Sequence, residues 1–144
     1  MINHAWTVVC QKSITDKETN NISLDVLEQL NVQFPPIPQE SKGIIFPIHI
    51  EIISLWYRAQ ESEGIKDIGR LRIESPNKEE MGTINVDIDL TQNYRFRSRA
   101  LLDGLPIPKN ISGNFNFITE LKQNGQWVQV SCVPLEIKLK TTQF

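Results

Sequence analysis

The chain has 144 residues, 40% of them hydrophobic and 22% charged, with a net charge of −2. That suits one domain, residues 1–144, with a core large enough to need no metal or disulfide staple, and it argues against global disorder. A charge so close to neutral offers no global field to nucleic acid or an anionic membrane, and no apolar run approaches the roughly 20 residues that span a bilayer.

The start of the chain shows no basic segment followed by an apolar one, so the cytoplasm is the expected compartment. Residues 5–11 predict a first strand, with Trp6, Val8 and Cys10 on one face. Residues 12–21 are polar and predict a loop or a long hairpin tip. From 22 to 34 the apolar residues Ile22, Leu24, Val26, Leu30, Val32 and Phe34 hold even positions. Residues 24–30 could also make two helical turns, but the even spacing and β-branched content favour a strand. Pro35, Pro36 and Pro38 stop any ladder, so 35–43 is expected to cross in extended form.

Residues 44–57 are the most hydrophobic stretch. Ile44, Phe46, Ile48, Ile50 and Ile52 share one face, and Ile53, Leu55 and Tyr57 continue on the other. A strand apolar on both sides is central or changes sheets through a bulge, and Pro47 puts its first part at an edge. After a polar loop over 59–67, Gly69, Leu71 and Ile73 alternate with Arg70, Arg72 and Glu74. A charged loop over 75–80 follows.

The next segment predicts a hairpin. Ile84, Val86, Ile88 and Leu90 alternate with Asn85, Asp87 and Asp89; beyond Thr91-Gln92-Asn93, Tyr94, Phe96, Ser98 and Ala100 alternate with Arg95, Arg97 and Arg99. Folded about that loop, Leu90 faces Tyr94, Asp89 faces Arg95, Asp87 faces Arg97 and Asn85 faces Arg99, giving an apolar face and a ladder of opposite charges. Residues 101–111, with Pro106 and Pro108, are expected to be a connection. Phe115, Phe117, Thr119 and Leu121 then alternate into Asn124-Gly125, a strong hairpin signal. That turn sets Leu121 opposite Val128, Lys122 opposite Trp127, Thr119 opposite Val130 and Phe117 opposite Cys132. Leu135, Ile137 and Leu139 fall on the other parity, so a bulge or sheet change is expected at Pro134.

About eight strands, no confident helix and two prolonged crossings predict an all-β fold with less than about a tenth of its residues helical. The expected architecture is a two-sheet antiparallel β-sandwich, immunoglobulin-like or C2-like, with a β-barrel as the alternative. Cys10 and Cys132 are expected to be buried free thiols; a disulfide between terminal strands is disfavoured in the cytoplasm.

No motif for catalysis stands out. His49 and Glu51 project from one strand face and could anchor a scattered enzyme site, although a structural pair is the simpler reading. There is no glycine-rich phosphate loop, no GxSxG elbow and no cysteine/histidine spacing for zinc. Asp87 and Asp89 with Asp16, Asp67 or Asp103 lack the dense spacing of a calcium loop. No cofactor or metal is expected. The Arg95/Arg97/Arg99 stripe, with Arg70 and Arg72, could bind phosphate or an acidic partner, but Asp87 and Asp89 should offset it and leave residual charge only near Arg99. Tyr94 and Phe96 fall on the core face, whereas a nucleic-acid platform interleaves aromatic and cationic residues on one exposed face. Trp127, beside Lys122 on the outward face of the last hairpin, could meet a sugar or a protein, unless Lys122 or a neighbouring strand covers it.

Two stretches resemble a family of small, uncharacterised bacterial β-sandwich proteins. One runs from Cys10 through Asp16 to Thr19-Asn20-Asn21-Ile22-Ser23-Leu24. The other is Gly113-x-Phe115-x-Phe117 with the terminal hairpin and Pro134-Leu135-Glu136-Ile137. The resemblance implies a bacterial single-domain sandwich and carries over no activity and no catalytic position.

The expectation is therefore a non-enzymatic protein-interaction or accessory module, binding another protein through sheet-edge pairing. A homo-oligomer is compatible with it. The alternatives are a carbohydrate-binding module using Trp127 and an enzyme around His49 and Glu51.

Overall fold

A computed structural model describes residues 1–34, 40–109 and 111–141 of the chain. Nine strands are described: β1 (Asn3–Thr15), β2 (Ile22–Val26), β3 (Gln29–Phe34), β4 (Gly43–Tyr57), β5 (Ile65–Glu74), β6 (Glu80–Leu90), β7 (Arg95–Pro108), β8 (Gly113–Gln123) and β9 (Gln126–Thr141). They form two packed sheets, ordered β2-β1-β4-β7 and β3-β9-β8-β5-β6. No helix occurs among the described residues. The fold is a two-sheet β-sandwich, and every pairing is antiparallel except β3 with β9, which is parallel.

The ninth strand comes from the 22–34 run. It is not one strand but two, β2 in the first sheet and β3 in the second, joined by a crossing at Leu27 and Glu28. Leu27 N–H donates to Val9 O at 2.9 Å, and Glu136 N–H donates to Glu28 O at 3.1 Å, so the crossing is tied to both sheets. Both strands place apolar residues on alternate positions, and period two cannot register a change of sheet between them. The prolines at 35, 36 and 38 lie outside the described residues.

The 84–100 hairpin does not form. Among the described strands β6 pairs only with β5, setting Asp89 against Lys66 and Asp87 against Ile68. β7 pairs with β4 in the other sheet, setting Arg95 against Tyr57, Arg97 against Leu55 and Arg99 against Ile53. The apolar faces are as expected, since Ile88, Leu90, Ser98 and Ala100 are buried. Their partners differ because a hairpin and a crossing between facing sheets satisfy the same alternation. One local contact and one distant residue hold the crossing. Asp89 Oδ1 accepts from the N–H and hydroxyl of Thr91 (3.0 and 2.5 Å), turning the chain outward. Buried Arg58 donates from Nε to Leu90 O at 2.7 Å and from its backbone N–H to Tyr94 O at 2.9 Å. Tyr94 ends up outside the strand and 40% exposed rather than on the core face.

Residues 101–111 are not mainly a connection: β7 continues to Pro108, paired with β4 throughout. The register shifts between Phe46 and His49, where Gly104 (φ +95°) lies opposite Pro47 and Ile48. A β-carbon on Gly104 would approach Ile45 Cγ2 to 2.9 Å, so this irregularity needs glycine twice over. β1 pairs with β4 only from Tyr57 to Glu51. The first part of β4, with Pro47, therefore runs along an edge, and its second part is central.

The Asn124-Gly125 turn forms, with Leu121 opposite Val128 and Lys122 opposite Trp127. A bulge at Val130 then shifts the register, setting Thr119 against Ser131 and Phe117 against Val133. The change of parity comes four residues before Pro134, which lies opposite Asn116 inside the ladder. It also turns Cys132 out: Cys10 is buried, but Cys132 is exposed.

The core has two apolar parts. The larger is built around Ile50, Ile52, Leu105, Phe115, Phe117, Leu135 and Ile137. The smaller is built around Trp56, Ile88, Leu90 and Leu121. A polar layer separates them. Ser54 lies between Ile52 and Trp56 on β4, and Thr119 lies between Phe117 and Leu121 on β8. The Thr7 hydroxyl contacts the hydroxyls of Ser54 (2.7 Å) and Thr119 (3.4 Å) and His4 Nε2 (2.7 Å). Trp56 Nε1–H donates to Ser98 Oγ at 2.9 Å. Satisfied in this way, the layer avoids the cost of burying unpaired polar groups.

Candidate functional site

The first sheet curls. Its β1–β2 turn is built by Asp16, whose Oδ1 accepts from the N–H groups of Glu18 (2.8 Å) and Thr19 (3.2 Å), with Asn20 in the left-handed region at φ 60°. That turn reaches the strand at the far edge of the sheet: Arg97 Nη2 donates to both the backbone oxygen and Oδ1 of Asn20, each at 2.8 Å. The outward face of this sheet is therefore concave. Cys10, Glu51 and Ile53 belong to it rather than to the inter-sheet core, yet they are 0%, 2% and 2% exposed.

Glu51 is the centre of this face. Oε1 accepts from the Ser13 hydroxyl at 2.8 Å and is ion-paired with Arg99; Oε2 accepts from Ser13 N–H at 3.1 Å and lies 3.6 Å from His49 Nε2. Burial by itself would raise the Glu51 carboxyl, but the Ser13 and Arg99 hydrogen bonds outweigh it and hold it below the usual carboxylate value. His49, exposed on the β4 edge, contacts Asp103 Oδ1 through Nδ1 at 2.7 Å. Asp103 first, with Glu51 adding, holds the imidazole above its ordinary value. Burial, then the Glu51 charge, pushes the Cys10 thiol up.

His49 and Glu51 do come together, on the concave face beside Ser13. His49 lies between two carboxylates, and the Ser13 hydroxyl donates to Glu51. Arg99, read as the residual free charge of the stripe, is the partner of Glu51 instead. A glutamate flanked by Ile50, Ile52 and Ile53 was the available signal: a carboxylate in such a run must be buried and must find a cation.

Arg95 and Arg97 are different. Asp87 and Asp89, expected to offset them, sit in the other sheet. Arg95 lies over the Tyr94 ring, 5.6 Å from its centroid. Neither arginine makes an ion pair with any described residue. Both line a groove of about 430 Å³ with Trp6, Asn20, Asn21 and Leu55, and among the described residues no acid lines it.

On the second sheet's outward face, Trp127 is half-buried. The guanidinium of Arg70 covers its ring at 4.2 Å from the centroid, and Lys122 Nζ lies at 6.0 Å. Arg70 and Arg72 also bind buried Glu120, at 2.8 and 2.6 Å. One face of the indole is thus covered by an arginine. The aspartates weighed for calcium do not converge: Asp16 and Asp89 cap turns, Asp67 accepts from Ile68 N–H, and Asp103 holds His49. Among the described residues no cluster of three histidine, cysteine or acidic groups could hold a metal. No family model matches the chain, and no curated protein matches it.

Proposed function

We propose that this chain is a non-enzymatic accessory module that recruits a protein partner by extending its first sheet along β7. The observation that carries this reading is the position of β7. It is 14 residues long and ends the sheet, paired with β4 on one side and with no described strand on the other. An unpaired edge of that length offers backbone donors and acceptors to an incoming strand. At 99–103 the outward side chains are Arg99, Leu101 (49% exposed) and Asp103, an amphipathic stripe beside the free edge.

Adjacent residues of a strand direct their N–H groups to opposite sides. Of Leu101→Pro and Leu102→Pro, one therefore removes a bond to β4 and destabilises, while the other removes only an outward N–H. Thermal unfolding identifies which is which. Cross-linking capture from the cell that makes the protein is expected to recover one partner with the parent and to lose it with the outward variant. Equal capture by parent and outward variant would exclude β7 as the contact. Light scattering distinguishes a second copy of the chain from a different protein.

A further inference from the structure

We infer that the groove between the β1–β2 turn and the start of β7 is a binding site for a small organic anion, a carboxylate carried on a flat apolar body. The site stands apart from the edge at 99–103 and does not depend on it.

The charge comes from Arg95 and Arg97. They are two residues apart on one strand, so they project on the same side about 7 Å from each other. Among the described residues neither has an acidic partner and no acid lines the groove, in a chain whose net charge is −2. Arg99, the third of the stripe, is consumed by Glu51. Two like charges left side by side, with the third neutralised internally, form a local positive field that an anion would offset. Arg97 is also held in place. Its Nη2 is fixed on Asn20 by two hydrogen bonds of 2.8 Å, and Asn20 is set by the Asp16-capped turn. A guanidinium fixed by one nitrogen keeps its other donors for a carboxylate, and prior ordering lowers the cost of binding.

The rest of the groove supplies the apolar part of the recognition. Trp6 and Leu55 are half-buried and form its wall, and the polar residues Asn20 and Asn21 stand at its rim. Its volume, about 430 Å³, lies within the range of small-molecule sites. Apolar walls with a few convergent polar groups are the usual composition of such sites. The turn also stands over the sheet at Arg97, which suits a compact ligand better than an added strand.

The test uses 2-naphthoate against its neutral isostere 2-naphthamide, followed by amide and indole NMR shifts and by tryptophan fluorescence on the whole chain. Naphthoate is expected to shift the Trp6 indole and the amides of Asn20, Asn21, Arg95 and Arg97, and to bind at least about tenfold more tightly than the amide. Arg95→Gln should weaken it several-fold, while Arg70→Gln on the opposite sheet should leave it unchanged. Arg97→Lys keeps the charge but loses the fixed fork, and should also weaken binding; its thermal midpoint shows whether the turn has been disturbed. Naphthyl phosphate is the comparison arm, and tighter binding of phosphate than of carboxylate would reassign the anion. The inference is overturned if acid and amide bind equally, if the shifts map to the Trp127 face, or if no saturable shift appears by roughly 10 mM.

Discussion

Replacing Glu51 with glutamine should destabilise the fold by about 2 kcal/mol. The Ser13 hydroxyl and amide each exchange a charge-assisted hydrogen bond for a neutral one. With charged bonds contributing about 1.5–3 kcal/mol and neutral ones about 1 kcal/mol, the two exchanges cost about 1–4 kcal/mol together. The Arg99 side chain is 52% exposed, so its orphaned charge rehydrates, and the lost ion pair adds only about 1 kcal/mol. Removing a buried carboxylate returns part of this, because its desolvation is no longer required. At about 2.1 cal/mol/K per residue, unfolding this chain carries an entropy of about 300 cal/mol/K, so 2 kcal/mol lowers Tm by about 7 °C. The pH dependence gives a second readout. The folded Glu51 carboxyl titrates below its unfolded value near 4.5. The stability it contributes is thus complete above that value and is lost as pH falls through the folded one. Urea unfolding of parent and Glu51→Gln from pH 7 to pH 3 should show curves that converge on the acid side. A change under about 0.5 kcal/mol at pH 7, or parallel curves, would refute the account of Glu51 as the organising charge of the curled sheet.

Asp87→Asn and Arg97→Gln should be additive in a double-mutant cycle measured by urea unfolding, since the two residues lie in different sheets; a clear coupling would restore the hairpin register. The two histidines should act with opposite sign. His4, lowered chiefly by burial, is favoured neutral in the fold, so stability falls as pH drops below about 6.5, and His4→Gln should flatten that fall. His49, raised chiefly by Asp103, contributes below about 6.5 and loses its contribution as pH rises through its folded value; His49→Gln should remove that loss, and titration of the imidazole by NMR should report the raised value directly. Gly125→Ala should cost about 1 kcal/mol in thermal unfolding, because Gly125 holds φ +77° in the last hairpin.

The sequence determined on its own what depends on period two and on local turn chemistry. Gly69, Leu71 and Ile73, then Phe115, Phe117 and Leu121, read as inward faces because adjacent strand residues must point to opposite sides. Asn124-Gly125 read as a turn because the positive φ of both residues suits that pair. Only the tertiary structure decided which face meets which. Leu90 and Phe96 could have closed one hairpin or faced each other across two sheets, and no alternation distinguishes the two. The choice falls to Arg58, which comes from 32 residues away to take the Leu90 carbonyl. The same limit hid the fate of the arginine stripe. Whether Arg95, Arg97 and Arg99 are neutralised depends on partners brought in by pairing and curl: Glu51 reaches Arg99 from β4, Asn20 reaches Arg97 from the β1–β2 turn, and the expected aspartates leave with β6. Pairing partners and sheet curvature are non-local, and they set the charge that the concave face presents.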